Sequence, residues 1–151
     1  MINMSCRTWL LVITLLLLPL CGCQSPTDTT KVTQVTDGDT ITIADGSFVR
    51  YIGIDTPEVY PTLEAFGMEA WQANRELVEG KTVRLEQDIS NTDRYGRLLR
   101  YVYVDDIFVN AELVRRGLAR AEAYPPDTKS HDYLEELETE ARQAGRGMWA
   151  K

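Results

Sequence analysis

Thr36-Asp37-Gly38-Asp39-Thr40-Ile41-Thr42-Ile43 and, after a second turn at Asp45-Gly46, Ser47-Phe48-Val49-Arg50-Tyr51-Ile52-Gly53-Ile54-Asp55-Thr56-Pro57-Glu58 decide the fold. Asp-Gly between apolar runs is the strongest short hairpin signal. Thr40-Ile41-Thr42-Ile43 alternates polar and apolar, which describes a half-buried strand. Ser47 to Ile54 is apolar on both parities, with Phe48, Ile52 and Ile54 against Val49 and Tyr51. That is the pattern of a strand buried on both faces, as in a small closed barrel. Pro57 ends it, and Thr56 before the proline is held extended. Residues 31–54 therefore read as three strands.

Working outward, Met68 to Glu79 reads as a helix. Ala70, Trp71, Ala73, Leu77 and Val78 form its apolar stripe, and Gly80 stops it. Lys81 to Asp88 reads as a fourth strand, Ser90 to Gly96 as a polar loop, and Leu98 to Val104 as a fifth strand. Asn110 reads as the cap of a short helix that Gly117 terminates, and Ser130 as the cap of a last helix carrying Leu134, Leu137, Ala141 and Ala144. Trp71 and Trp149 read as core, and His131 as a surface residue. Five short strands with inserted and appended helices give an α+β, mainly β fold: a five-stranded OB-type Greek-key barrel with about three helices.

The chain has 151 residues, 44% of them hydrophobic, enough for one core. Its three cysteines, Cys6, Cys21 and Cys23, all precede residue 24, and His131 is the only histidine. The rest of the chain can therefore form neither an internal disulfide nor a multi-His or cysteine-ligated metal site. Arg7 is the only charge before Asp28, and an apolar run from Trp9 to Leu20 leads to Leu20-Cys21-Gly22-Cys23. A basic start, a short apolar stretch and small residues describe a secretory signal too short for an ordinary membrane span. The end resembles a bacterial lipobox, which implies cleavage after residue 22 and lipidation of Cys23; plain secretion is the alternative. Residues 23–30 read as a flexible tether and 31–151 as the folded domain, placed outside the cytoplasm on a lipid anchor in a bacterial membrane.

Three segments carry chemistry: Asp37-Gly38-Asp39-Thr40, Arg50 through Glu58, and Asp93-Arg94-Tyr95-Gly96-Arg97. Asp39 shares strand parity with Ile41 and Ile43, so its carboxylate faces the barrel and needs a partner. Arg50, inside an apolar run, needs an anion. Strict alternation puts Arg50 and Asp55 on opposite faces, so one shared site requires a bulge or curl between them. Asp39, Asp55 and Glu58, with no nitrogen or sulfur ligand, suit a hard cation, calcium first and magnesium second. A metal with two arginines around a phosphate would neutralise charge growing in a phosphoryl transition state. Arg50 with Asp39 also reads as a buried structural ion pair.

In this order and on this strand pattern, these segments resemble the staphylococcal-nuclease-like (thermonuclease) family. The resemblance runs on through Val109-Asn110-Ala111-Glu112-Leu113-Val114-Arg115-Arg116-Gly117-Leu118-Ala119 to Gly145-Arg146-Gly147-Met148-Trp149. It implies an OB-type barrel and a calcium-dependent endonuclease acting on DNA and/or RNA. Asp39 and Asp55 would ligate calcium, with the Thr56 carbonyl as a third ligand. Glu58 would hold a water as its general base or orienter. Arg50 and Arg97 would bind the scissile phosphate, and the 5′ oxygen would leave, giving 3′-phosphate ends. Arg94, Tyr95 and Tyr124 would contact the nucleotide. The alternative is an inactive nucleic-acid-binding or protein-interaction module on the same barrel.

Two features depart from the family's type. The Val59–Gly67 loop is shorter and has no lysine, and the chain is acidic. Without residues 1–22 it carries 15 basic and 23 acidic side chains. That excludes a basic protein that coats nucleic acid, though not a locally positive site. Residues 81–120 hold eight basic and six acidic side chains, so Lys81 and Arg84 join Arg50, Arg94 and Arg97 as candidate phosphate contacts.

Overall fold

The structure is a computed structural model that describes residues 28–151. The signal segment, Cys23 and most of the expected tether lie outside the described residues. Eight strands and three α-helices follow in order: β1 (Asp28–Asp37), β2 (Thr40–Ile43), β3 (Phe48–Tyr51), β4 (Ile54–Asp55), α1 (Gly67–Val78), β5 (Thr82–Glu86), β6 (Leu98–Val104), β7 (Ile107–Phe108), α2 (Val109–Arg115), β8 (Arg120–Ala121) and α3 (His131–Gln143). A short 3₁₀ turn, Gly147–Trp149, comes last.

The main sheet runs β3-β2-β1-β5-β6-β7, and an extra pairing of β3 with β6 closes five strands into a barrel. The closing pair is parallel, with Val49 opposite Leu98 and Arg50 opposite Leu99. β1 makes closure possible by serving two neighbours. Asp28–Lys31 pairs with β5, and Val32–Asp37 pairs with β2 through two register shifts. Such irregularities curl a strand around a barrel corner. The strand thus already includes Asp28, three residues before the expected Lys31. Thr29 and Thr30 are good strand formers that polarity alone assigned to the tether.

The barrel interior is filled by Val32, Val35, Ile41, Val49, Val83 and Val102, and the helices add Ala73, Val78, Leu113 and Leu134 to one continuous core. Trp71 packs against it and donates its indole N–H to the Val35 carbonyl at 3.1 Å. Trp149, expected in the core, is instead only half-buried, with the Arg142 guanidinium 3.7 Å from its ring. His131, expected at the surface, is half-buried as well.

Asn110 is not a cap. It lies inside α2, fully buried. Its side-chain carbonyl accepts from the Val102 N–H at 3.0 Å, and its amide donates to the Ile52 carbonyl at 2.8 Å. A polar side chain buried this deeply must satisfy its own groups, and here it also satisfies two backbone groups where the chain turns out of the barrel. Lys81 donates to the Glu76 and Leu77 carbonyls at 2.8 Å, closing the end of α1. Arg84 pairs with Glu86 and lies 3.8 Å from the Tyr103 ring. Neither lines the cavity described below, so both leave the set of phosphate contacts.

Asn110→Ala should leave two buried backbone groups without partners and cost about 3 kcal/mol. Urea unfolding of residues 28–151 would show it; a loss under about 1 kcal/mol would mean that water replaces the amide.

Candidate active site

The site begins at the β1–β2 turn. Gly38 has no side chain because there is no room for one: a Cβ there would stand 2.6 Å from Thr56 Oγ1. Thr56 therefore closes over the turn. Its N–H and its hydroxyl both donate to Asp39 Oδ2 at 3.0 Å, and the Thr40 hydroxyl donates to Oδ1 at 3.1 Å. Asp39 is buried, and three hydrogen bonds plus a cation make that burial tolerable.

The cation is Arg50, whose Nη1 lies 2.8 Å from Asp39 Oδ2. The same nitrogen donates to the carbonyls of Tyr51 at 3.2 Å and Ile54 at 3.0 Å. Nη2 donates to Asp55 Oδ1 at 3.1 Å. Alternation alone would set Asp55 on the far face. The chain instead turns at Ile52-Gly53, with Gly53 at φ +77°, a conformation glycine adopts without strain. What reads as one strand from Ser47 to Ile54 is two, and the turn between them returns Asp55 to Arg50. β4 then pairs with β8, placing Asp55 opposite Arg120.

Closure of β3 on β6 brings in the loop before Leu98. Asp93 organises this loop. Its carboxylate accepts from the N–H groups of Tyr95 at 2.9 Å and Arg97 at 3.0 Å, and from Arg97 Nε at 2.7 Å. Gly96, at φ +81°, completes the turn. The Arg94 and Arg97 guanidiniums lie 4.8 and 5.6 Å from the exposed Tyr95 ring.

These pieces surround one open cavity of about 610 Å³. Asp39, Arg50, Asp55, Glu58, Arg94, Tyr95, Arg97 and Tyr124 all line it. Of the residues expected in the site, Thr56 is not in its wall and stands behind Asp39, and Lys81 and Arg84 are outside it as well. The sequence reading missed Asp37, which also lines the cavity. Asp37 looked like a plain turn residue, yet it precedes Asp39 by two and so shares its face, a signal that alternation offered. Asn74 was missed too. It accepts from the Tyr51 hydroxyl at 2.9 Å and donates to the Asp37 carbonyl at 3.0 Å, tying α1 to the turn. Asp127, buried in the cavity wall, holds the Ile89 and Ser90 N–H groups at 2.9 and 2.7 Å, and nothing local in the sequence points to it.

The cavity carries surplus negative charge. Partial burial and the neighbouring Asp37, Asp39 and Asp55 push the Glu58 carboxyl up to about 7. Burial raises Asp37, and burial also raises Asp55 against the pull of Arg50. Burial is the first cause of all three shifts, and repulsion from neighbouring carboxylates adds to it. Among the described residues no three acidic, histidine or cysteine side chains converge as ligands, because Asp39 is turned onto Arg50 and Thr56. The donors are nonetheless all oxygen, and an all-oxygen set fits a hard divalent ion.

The site is a set of carboxylates and arginines gathered at the rim of a closed OB-type barrel. The chain belongs to the staphylococcal nuclease family. The model described as staphylococcal nuclease homologue matches residues 48–151. The chain is 40% identical over 126 residues to a thermonuclease of Staphylococcus intermedius, covering 80% of this chain and 75% of that one. It is 38% identical over 128 residues to a thermonuclease of Staphylococcus hyicus, covering 81% and 76%. It is 40% identical over 126 residues to the SPbeta prophage-derived endonuclease YokF of Bacillus subtilis (strain 168), covering 78% and 43%.

In the metal-free protein, Glu58 should titrate near 7 rather than at the ordinary 4.5, and Asp37→Asn should bring it down. Carbon-detected NMR of the side-chain carboxyl would show this. Because the fold holds that proton more tightly than the unfolded chain does, stability should fall as pH rises from 4.5 through about 7. A Glu58 midpoint near 4.5 would show that the carboxylates are farther apart than described.

Proposed function

We propose that the protein is a calcium-dependent endonuclease that hydrolyses phosphodiester bonds of DNA and/or RNA and leaves 3′-phosphate ends. The observation that carries this reading is the meeting of Arg50 and Arg97 with Asp39, Asp55 and Glu58 around one cavity large enough for a nucleotide.

Arg50 and Arg97 hold the scissile phosphate between them, each offering a planar fork that matches two phosphate oxygens. As charge builds on those oxygens, two guanidiniums fixed in advance stabilise it without reorganising. Arg50 is fixed by Asp39, Asp55 and two carbonyls, and Arg97 by Asp93. Glu58 accepts the proton of the attacking water on a carboxylate oxygen. A carboxyl raised to about 7 is better matched to that task near neutral pH than an ordinary one. Asp39, Asp55 and the Thr56 carbonyl would hold calcium, which supplies positive charge to the phosphate and to the water. The water oxygen bonds to phosphorus as the P–O5′ bond breaks, and the 5′ oxygen leaves with a proton taken from solvent. Arg94, Tyr95 and Tyr124 flank the nucleotide on the open side. The reading also includes a lipid anchor at Cys23 that tethers the enzyme to a bacterial membrane outside the cytoplasm, supported by the Trp9–Leu20 run and the clustering of all cysteines there; recovery of the whole protein without lipid mass contradicts that part.

Purified residues 24–151 should cut labelled DNA or RNA with calcium and stop in excess chelator, and the new ends should carry a 3′ phosphate. Arg50→Lys and Arg97→Lys keep the charge and lose the fork, and each should cost about 2–4 kcal/mol of transition-state stabilisation. Cleavage that survives chelation, or near-normal rates in both variants, contradicts the mechanism. Melting curves of the variants separate lost chemistry from lost fold.

A further inference from the structure

A second cavity, of about 410 Å³, adjoins the first. Its walls are Pro57, Glu64, Phe66, Arg120 and Met148, and it shares Asp55 with the catalytic cavity. The two therefore meet at the carboxylate next to Arg50. Neither Tyr95 nor Tyr124 lines it.

Its construction is specific. Glu58 and Glu64 brace each other across the loop: the Glu64 N–H donates to the Glu58 carbonyl at 2.9 Å, and Glu64 Oε2 accepts from the Glu58 N–H at 3.2 Å. The cavity's loop wall thus hangs from the proposed general base. Gly67 lets α1 start close against that backbone, since a Cβ there would stand 2.5 Å from the Glu58 carbonyl oxygen. Met148 is set by its N–H donating to the Gly117 carbonyl at 2.9 Å. Gly147 and Gly117 approach so closely that a Cβ on Gly147 would stand 2.3 Å from that same oxygen. Arg120, opposite Asp55 in the β4–β8 pair, supplies the only cation in the wall.

The chemistry selects the occupant. Two carboxylates against one guanidinium disfavour a second phosphate. Pro57, Phe66 and Met148 give apolar faces that suit a flat ring, and an arginine stacks on or hydrogen-bonds a base. The volume is within the range of small-molecule sites. We propose that this cavity is a subsite for the nucleobase flanking the scissile phosphate on the side away from Tyr95 and Tyr124, with Arg120 as its polar anchor. The proposal rests on the phosphodiesterase reading above. A polynucleotide would then cross Asp55 from one cavity to the other, and substrate length would be read by Arg120 and Met148.

The test compares two substrates of different reach. Bis(4-nitrophenyl) phosphate fills a phosphate site and presents no base, whereas a single-stranded hexanucleotide spans both cavities. Arg120→Ala and, separately, Met148→Ala should raise KM for the hexanucleotide about tenfold. Each should leave kcat/KM for the aryl diester within about twofold. Arg120→Lys should recover part of the loss. Equal losses on both substrates would show that Arg120 acts only through Asp55 and would overturn the subsite, as would no loss on either. If the unaltered protein cleaves neither substrate, the phosphodiesterase reading fails and the subsite fails with it. Cleavage of both with unchanged KM in the variants sinks the subsite alone. Unchanged melting temperatures exclude a folding defect, and Met148→Leu, which keeps the apolar wall, should behave as wild type.

Discussion

The ion pair between Asp39 and Arg50 is the constraint around which the molecule is arranged. A charge taken out of water must be paired, and breaking a buried pair by removing one partner costs far more than an exposed one. Both groups are almost out of solvent, with side-chain exposures of 8% for Asp39 and 12% for Arg50. The neighbouring structure follows from that requirement. Thr56 must close over Gly38 to complete the hydrogen bonds of Asp39. The chain must turn at Gly53 so that the Ile54 carbonyl and Asp55 can complete those of Arg50. Asn110 must occupy the position where it can satisfy the Ile52 carbonyl just before that turn. One pair thereby fixes the end of β1, the start of β2, the path of β3 and the position of β4.

Much of this was legible in the sequence because it is local. The Asp-Gly turns, the alternation of Thr40–Ile43 and the two-faced apolar run that follows each follow from short-range backbone and burial rules. The same alternation also posed the Arg50–Asp55 conflict and required a curl, which Gly53 supplies. What failed was tertiary. Asn110 precedes an apolar run as a cap would, and only the approach of β6 and Ile52 shows that it bridges two backbones. Lys81 and Arg84 count as positive charge in any local sum, but α1 holds the first and Glu86 the second. Trp149 is apolar enough for a core, and its cover turns out to be Arg142. Asp37 lay on the right face and was passed over because a turn explained it too easily.

The site is not balanced in charge, and that imbalance connects fold to function. Arg50 is shared between Asp39 and Asp55, leaving Asp37 and Glu58 without a cation of their own in the cavity wall. A bound divalent cation would relieve their repulsion of each other and of an approaching phosphate at once. The Val59–Gly67 loop is free of lysine, so the positive charge beside the cavity is that of its rim. Arg94 and Arg97 form that rim with Tyr95, on a loop that owes its shape to Asp93. Positive charge is accordingly local rather than spread over a basic face.

The claim that one ion pair builds both fold and site is tested most directly by a double-mutant cycle on the metal-free protein. Unfolding free energies would be measured for Asp39→Asn, Arg50→Met and the two combined. Arg50→Met alone should destabilise by about 3–5 kcal/mol, because it leaves a buried carboxylate without its cation. The combined variant should recover most of that loss. Additive single effects, with a coupling energy within about 0.5 kcal/mol of zero, would show that the two residues are neighbours and that the fold does not depend on their pairing.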